Sequence, residues 1–385
     1  SPCRLWGLDA RERLRRQLRE VGVRAIATDA VDLGDARQVL VVNAGFLFGL
    51  LTLRGVLGHP DALLVQPEDG RVAAASVARE RLDAVVACVR DGAARPPALR
   101  VLTALDLAGY DRNLRKTAPP LLETVTPDKR AALEALLYGN AYKGVTDFVT
   151  KWWWPRPARV LVGWCARLGI TPNSVTLLGV LLVLAATYAF YQGAYAVGLA
   201  CGWVMTLLDT VDGKLARVTV ASSRFGHFLD HGIDIVHPPF WYVAWGLGLG
   251  TLEPMGPLLR TLAQGLGPGT AQPEGMSVAI LCWLVAGGYV AGRLIEVAFH
   301  QLGHCGIFAW RPFDARFRLI AARRNPCLVI LTLGTAAGRP DVAFVGVVVW
   351  TLASSAMLFL RLLYAAGVRW RSGQPLDSWL KDGAC

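Results

Sequence analysis

The sequence predicts two unlike parts: a soluble α/β domain, followed by an α-helical polytopic membrane domain of six transmembrane helices preceded by an interfacial amphipathic helix. Three observations carry this expectation. Hydrophobic residues make up 54% of the 385 and charged residues only 18%, a balance outside the usual soluble range. The excess is uneven, because residues 1 to about 150 are rich in Arg and Asp with short apolar runs, whereas the remainder carries long ones. Within that apolar remainder four aspartates, Asp209, Asp212, Asp230 and Asp234, recur at helical spacing. A carboxylate in a membrane-grade segment is expensive, so four of them point to function.

Residues 1–108 alternate helix-like and strand-like runs. A basic amphipathic helix is expected over 11–21, and short strands over 24–28, 38–43, 62–66 and 71–75, an α/β layout. Residues 109–150 form a linker whose basic positions, such as Lys116 and Lys143, face either anionic headgroups or the mouth of a membrane site. The membrane domain is expected over 151–385. It opens with Lys151, then Trp152, Trp153 and Trp154, then Arg156 and Arg159. Tryptophans beside basic residues are an interfacial anchor pattern, which predicts a helix lying on the membrane surface.

Apolar spans follow at 174–191, 195–217, 228–250, 276–297, 326–338 and 341–364, with Asn173 or Ser174 capping the first. The fifth is short for a hydrocarbon core of about 30 Å. The loop 251–275 holds Glu253, Glu274 and a single Arg260, whereas the next loop holds Arg311, Arg316, Arg318, Arg323 and Arg324, and the tail Arg369, Arg371 and Lys381. That asymmetry predicts a multi-pass protein of the inner (cytoplasmic) membrane with both termini in the cytoplasm. It also accounts for the net charge of +11 without any nucleic-acid partner. The charged first turns argue against a cleavable signal peptide. The eight cysteines are scattered without a C-x2-C pair, so neither a zinc site nor a disulfide frame is expected.

The chemistry lies in two stripes. Asp209, Asp212, Gly213, Ala216 and Arg217 fall at i, i+3, i+4, i+7 and i+8, one helix face; Gly226, Asp230 and Asp234 fall at i, i+4 and i+8, again one face. Two facing helices would converge four carboxylates on one cavity. Oxygen-only ligands suit hard cations such as Mg²⁺ or Mn²⁺, and a pair of such ions is a known clamp for a diphosphate. Gly213 removes a side chain where a ligand must approach, and Arg217 can reach a phosphate.

Taken together, Asp-x2-Asp-Gly-x2-Ala-Arg-x8-Gly-x3-Asp-x3-Asp resembles the signature of the CDP-alcohol phosphotransferase family, and every fixed position matches. The resemblance is good over 150–385, and Thr171-Pro172-Asn173 is similar to the start of that family's first span. It implies transfer of a phosphoalcohol group from a CDP-linked donor, such as CDP-diacylglycerol, to an acceptor alcohol with release of CMP. It implies two metal ions, one held by Asp209, Asp212 and Asp230 and the second shared by Asp234, which would also be the general base. Asp212, Gly213, Ala216, Arg217 and Gly226 would contact the donor. The acceptor would often carry a phosphate, held by arginines before the fifth span, Arg316 or Arg323, and a homodimer is implied. Arg293 and Glu296 are a second acceptor pair or a structural bridge.

The stretch Leu5 to Arg16 is loosely similar to the start of sugar-type nucleotidyltransferases. Their glycine-rich nucleotide loop is not recognisable here, so an inactive or regulatory domain is expected. Three rival readings stand beside the transferase: an enzyme making a soluble inositol-phosphate-type diester, a membrane transporter using the carboxylates as its pathway, and a membrane-anchored nucleotidyltransferase. The transporter is disfavoured because no internal repeat is evident.

Overall fold

A computed structural model describes residues 3–27, 36–107, 109–111, 114, 116–118, 120–221, 224–250 and 278–382. The N-terminal domain starts with a small hairpin, β1 (Arg4–Leu5) and β2 (Leu8–Asp9), that leads into α1 (Ala10–Glu20). Asp9 caps α1 by accepting from the Glu12 amide at 2.8 Å. Next come β3 (Gln38–Val42), β4 (Phe46–Phe48), α2 (Leu50–Leu57), β5 (Ala62–Val65), β6 (Val72–Ala78), α3 (Leu82–Asp91) and β7 (Arg100–Leu102). Four of these strands form a sheet in the order β3-β6-β5-β7, with only the last pair parallel.

The sheet is buried on both faces, which is why β5 reads Ala-Leu-Leu-Val with no polar alternation. Leu14, Leu53 and Val56 of α1 and α2 pack with Leu64 on one face, and Val85 and Cys88 of α3 with Leu63 on the other. The strand expected over 24–28 does not form within the described residues 24–27, which are mostly exposed and offer no buried face to pair on; Thr28 lies outside them.

Residues 109–150 hold β8 (Gly109–Asp111), β9 (Lys116–Ala118), β10 (Leu122–Thr124) and α4 (Arg130–Asn140). Arg112, Asn113 and Arg115 lie outside the described residues. Beyond this stretch come α5 (Pro155–Leu168), α6 (Pro172–Tyr191), α7 (Tyr195–Val218), α8 (Arg224–Gly248), α9 (Val278–His300), α10 (Pro312–Phe317), α11 (Arg324–Ala336) and α12 (Pro340–Ser372). The six stretches read as spans therefore correspond to α6–α9, α11 and α12.

Three of them, α6, α9 and α12, are long and apolar enough by themselves to cross a membrane. The others differ for identifiable reasons. α11 has 13 residues, about 20 Å of helix, and α7 and α8 carry the charged stripes. Thr171, rather than Asn173 or Ser174, caps α6, accepting from the Ser174 amide at 3.2 Å. The loop 251–275, with Arg260, lies outside the described residues.

The helical core gathers Phe190, Leu199, Trp241, Trp245, Leu328 and Phe344 from α6, α7, α8, α11 and α12. Close approach needs small residues here: a Cβ on Gly198 would stand 2.4 Å from the Phe190 ring. α5 turns Ala158 and Val162 inward toward Val211 and Leu215 of α7, leaving Val160, Trp164 and Leu168 exposed.

A buried cation helps tie the N-terminal region to the helical one. Arg13 of α1, 2% exposed, donates to Leu5 O at 2.9 Å and to Val218 O, the C-terminal carbonyl of α7, at 2.6 Å. Arg16 adds a bond to Thr219 O at 3.0 Å. Cations at a helix C-terminus satisfy its orphan carbonyls and oppose its dipole. Burial pulls the Arg13 guanidinium down to about 10.

Candidate active site

The stripe on α7 and the end of the stripe on α8 face one cleft. Asp209, Asp212 and Asp234 line about 260 Å³ together with Thr176 of α6 and Met205. Asp230 lies on α8 one turn before Asp234, with its side chain outside the described residues. A guanidinium enters from α11: Arg324 Nη2 lies 2.6 Å from Asp209 Oδ2, and Nη1 lies 2.7 Å from Asp234 Oδ1. Thr176 Oγ1 donates to Asp212 Oδ2 at 2.6 Å. Thr176 is held in turn by the start of α6, where it lies 3.1 Å from Pro172 O.

The backbone of Asp234 has its own support. Pro238, four residues on within α8, has no N–H, so the Asp234 carbonyl lacks its helical partner. The Tyr289 hydroxyl of α9 donates to that carbonyl at 3.2 Å. A helix opened at this point thus keeps its carbonyl satisfied while the Asp234 side chain meets Arg324.

The other stripe residues are placed differently from the sequence expectation. Arg217 Nε donates to Ala141 O at 2.9 Å, and Lys214 Nζ donates to the same carbonyl at 3.2 Å while lying 3.2 Å from the Tyr142 ring centroid. Ala141 terminates α4, so the helix end faces two cations. A Cβ on Gly213 would stand 3.1 Å from Arg217 Nη2, so the room Gly213 leaves is used by this chain's own arginine. Ala216 is half-buried on α7 and Gly226 half-buried on α8. Burial holds the Lys116 ammonium below its ordinary range, and Arg217 acts in the same sense; Lys116 Nζ donates to Asn140 O at 2.8 Å.

A second cleft, also about 260 Å³, is lined by Tyr289, Arg293, Phe308, Arg323, Thr351 and Ser354 among others. Glu296 accepts from Arg323 Nη2 at 2.5 Å and from Arg293 Nη2. Arg318 and Arg323 both lie 5.5 Å from the Phe308 ring centroid. Buried nitrogens remain without a hydrogen-bond partner: Arg293 Nε, Arg318 Nε and Nη1, and Arg323 Nε. Arg323 lines this cleft. Arg316 is exposed on α10 and does not line the cleft, because helical spacing sends it away from the side of Asp314, which is buried against Arg361.

Sequence reasoning left Thr176 and Tyr289 out of the site and placed Arg324 only among the loop arginines, beside the acceptor rather than the carboxylates. A signal existed for two of them: Arg324 adjoins Arg323 in the arginine-rich loop, and Thr176 follows the Thr-Pro-Asn helix start by one turn. The buried polar network beside Arg324 was invisible, since Asn325 Nδ2 donates to Asp147 Oδ1 at 3.0 Å across 178 residues.

The donor set fits hard divalent ions in kind. Its side chains offer only oxygen, and two of the carboxylates already converge on a single cation. Among the described residues no three His, Cys, Asp or Glu side chains gather closely enough to hold a metal.

Comparison with known proteins matches residues 169–264 to the family model for CDP-alcohol phosphatidyltransferase. The archaetidylinositol phosphate synthase of Pyrococcus horikoshii is 43% identical over 88 residues, 23% of this chain and 45% of the relative. The phosphatidylinositol phosphate synthase of Mycobacterium marinum is 33% identical over 88 residues, 21% of this chain and 38% of the relative. That of Streptomyces avermitilis is 39% identical over 82 residues, 20% of this chain and 34% of the relative. The matched stretch therefore spans less than half the length of each of these relatives, and residues 169–264 contain the motif from Asp209 to Asp234.

Proposed function

We propose that the chain, whose residues 169–264 match the family model for CDP-alcohol phosphatidyltransferase, transfers a phosphoalcohol group from a CDP-linked donor to an acceptor alcohol and releases CMP. The observation that carries this reading is the meeting of Asp209, Asp212 and Asp234 in one cleft next to an arginine-lined one. In the reaction the acceptor oxygen bonds to phosphorus, the bond from phosphorus to the CMP phosphate oxygen breaks, and CMP leaves with that electron pair.

Divalent ions, Mg²⁺ or Mn²⁺, would be held by Asp209, Asp212, Asp230 and Asp234 and would neutralise the diphosphate and the leaving CMP. Asp234, on the α8 side of the cleft and the most exposed of the three described carboxylates, accepts the acceptor hydroxyl proton as general base. Thr176 keeps Asp212 oriented. Arg217 and Lys214 supply positive charge at the cytoplasmic end of α7, with Ala216 and Gly226 allowing close approach of the donor.

The acceptor is a phosphorylated alcohol. Its phosphate suits Arg293, Arg318 and Arg323, whose buried nitrogens have spare hydrogen-bonding capacity. The relatives are named as synthases of archaetidylinositol phosphate or phosphatidylinositol phosphate, which supports an inositol-phosphate-type acceptor and a lipid-linked donor such as CDP-diacylglycerol over a soluble diester.

The bilayer lies against α6 to α9, α11 and α12 as six spans, with α5 and Trp152 and Trp153 at its surface. The arginines from Arg311 to Arg324 favour a cytoplasmic placement of both termini and of the clefts in the inner membrane. A homodimer belongs to the reading by family resemblance, and the N-terminal domain is inactive as a nucleotidyltransferase, acting through its hold on the end of α7. The test is CMP formation from CDP-diacylglycerol with a panel of acceptors: CMP formed with a phosphorylated alcohol supports the reading, and cation flux without CMP would favour a transporter.

A further inference from the structure

Arg324 bridges two of the carboxylates that would hold a metal. Its guanidinium spans Asp209 and Asp234, from different helices, with two contacts of 2.6 and 2.7 Å, and the side chain is 12% exposed. Three described carboxylates share this cleft, so their mutual repulsion in a low-dielectric setting demands a counter-charge. Arg324 supplies one, but it does so incompletely. Its Nε is buried and has no hydrogen-bond partner, and the remaining neighbour at Nη1 is the Met205 sulfur at 3.6 Å. A guanidinium carries five donors in a fixed fork, and here that fork is only part used.

Arg324 is the first residue of α11, with Arg323 as the extended N-cap. Arg323 already points to the other cleft, where it meets Glu296. Next in the chain, Asn325 is pinned to Asp147 and Thr150 at 3.0 and 3.1 Å, which keeps the backbone fixed while the arginine swings.

We propose that Arg324 is a resident counter-cation of the carboxylate cleft, held there in the metal-free protein and displaced from Asp209 and Asp234 as divalent ions enter. This rests on the metal reading given under Proposed function. Displacement has two consequences. The cleft never carries its bare negative charge in the membrane, and metal loading frees a guanidinium beside the site for a substrate phosphate oxygen. Metal affinity is accordingly the difference between two cation-binding free energies, as for any ligand that must shift a pre-existing state.

The test is Mn²⁺ binding to the purified full chain in lipid nanodiscs, read as loss of the free Mn²⁺ EPR signal, together with the melting temperature with and without Mn²⁺. Arg324→Gln removes the competitor, and the variant is expected to bind Mn²⁺ at least about tenfold more tightly, to melt lower than wild type without Mn²⁺ and to gain more on adding it. Arg324→Lys, which retains a cation but cannot bridge both carboxylates, is expected to fall between. Should Arg324→Gln fold only in the presence of Mn²⁺, that requirement supports the proposal. Equal or weaker Mn²⁺ binding in both variants, with saturable binding in wild type, overturns displacement and leaves the metal reading intact. Absence of saturable binding in wild type and Arg324→Gln alike overturns both.

Discussion

The two clefts are opposites in charge and alike in design. In one, the Arg324 guanidinium bridges Asp209 and Asp234; in the other, the Glu296 carboxylate bridges Arg293 and Arg323. The residues that divide the work, Arg323 and Arg324, are consecutive at the start of α11, and Tyr289 belongs to both sites. It lines the arginine cleft and donates to the Asp234 carbonyl at 3.2 Å. The comparison teaches that each cleft already holds a group of the opposite sign bridging two of its charges. Substituting that group should therefore strengthen binding of a ligand bearing its charge, whereas substituting the lining should weaken it.

The largest effect is expected at the carboxylates. Asp234→Asn should lower turnover by roughly 10²- to 10⁴-fold while leaving donor binding within a few-fold, as measured by CMP release and by equilibrium binding of the CDP-linked donor. Full activity in that variant would remove Asp234 from the role of base. Next comes the arginine cleft. Arg323→Gln should raise KM for a phosphorylated acceptor by about 10- to 100-fold, the loss of one charged hydrogen-bonding partner, without changing KM for the donor. A matching rise for the donor would merge the two clefts into one binding site.

Glu296→Gln sharpens the mirror relation directly. Without phosphate it should lower the melting temperature, because two arginines lose their shared partner, and inorganic phosphate should restore it; no recovery with phosphate would mean Glu296 is a structural bridge only. The smallest effect belongs to the link between the sites. Tyr289→Phe deletes the bond that replaces the one Pro238 cannot make and should cost about 1 kcal/mol, read as a several-fold loss of turnover with both KM values kept. A selective rise in acceptor KM would place the hydroxyl in the arginine cleft instead.

Much of this was legible in the sequence because it is local. Helical spacing alone placed Asp209, Asp212, Gly213 and Arg217 on one face of α7, and the apolar runs marked out six stretches that all fold as helix. The β5 run of four buried residues was likewise readable as a strand, since both faces of its sheet are covered. Two kinds of feature were not legible. Residues 24–27 have strand-like composition but find no buried surface, which only the tertiary fold determines.

The partners that complete the site come from far along the chain. Arg324 lies 115 residues after Asp209, Tyr289 lies 55 after Asp234, and Ala141, which takes up Arg217, precedes it by 76. The motif displays the groups that do chemistry but carries no sign of the counter-charges that hold them. Gly213 illustrates the gap: its lack of a side chain reads as space for a ligand, and the fold gives that space to Arg217.

The most direct measurement is CMP release by the full chain in liposomes containing CDP-diacylglycerol, with an inositol-phosphate-type acceptor supplied in the presence of Mg²⁺ or of EDTA. The account predicts CMP that appears only when acceptor and divalent ion are both present, and that is lost in Asp209→Asn. CMP release that continues undiminished in EDTA, or in Asp209→Asn, would contradict it.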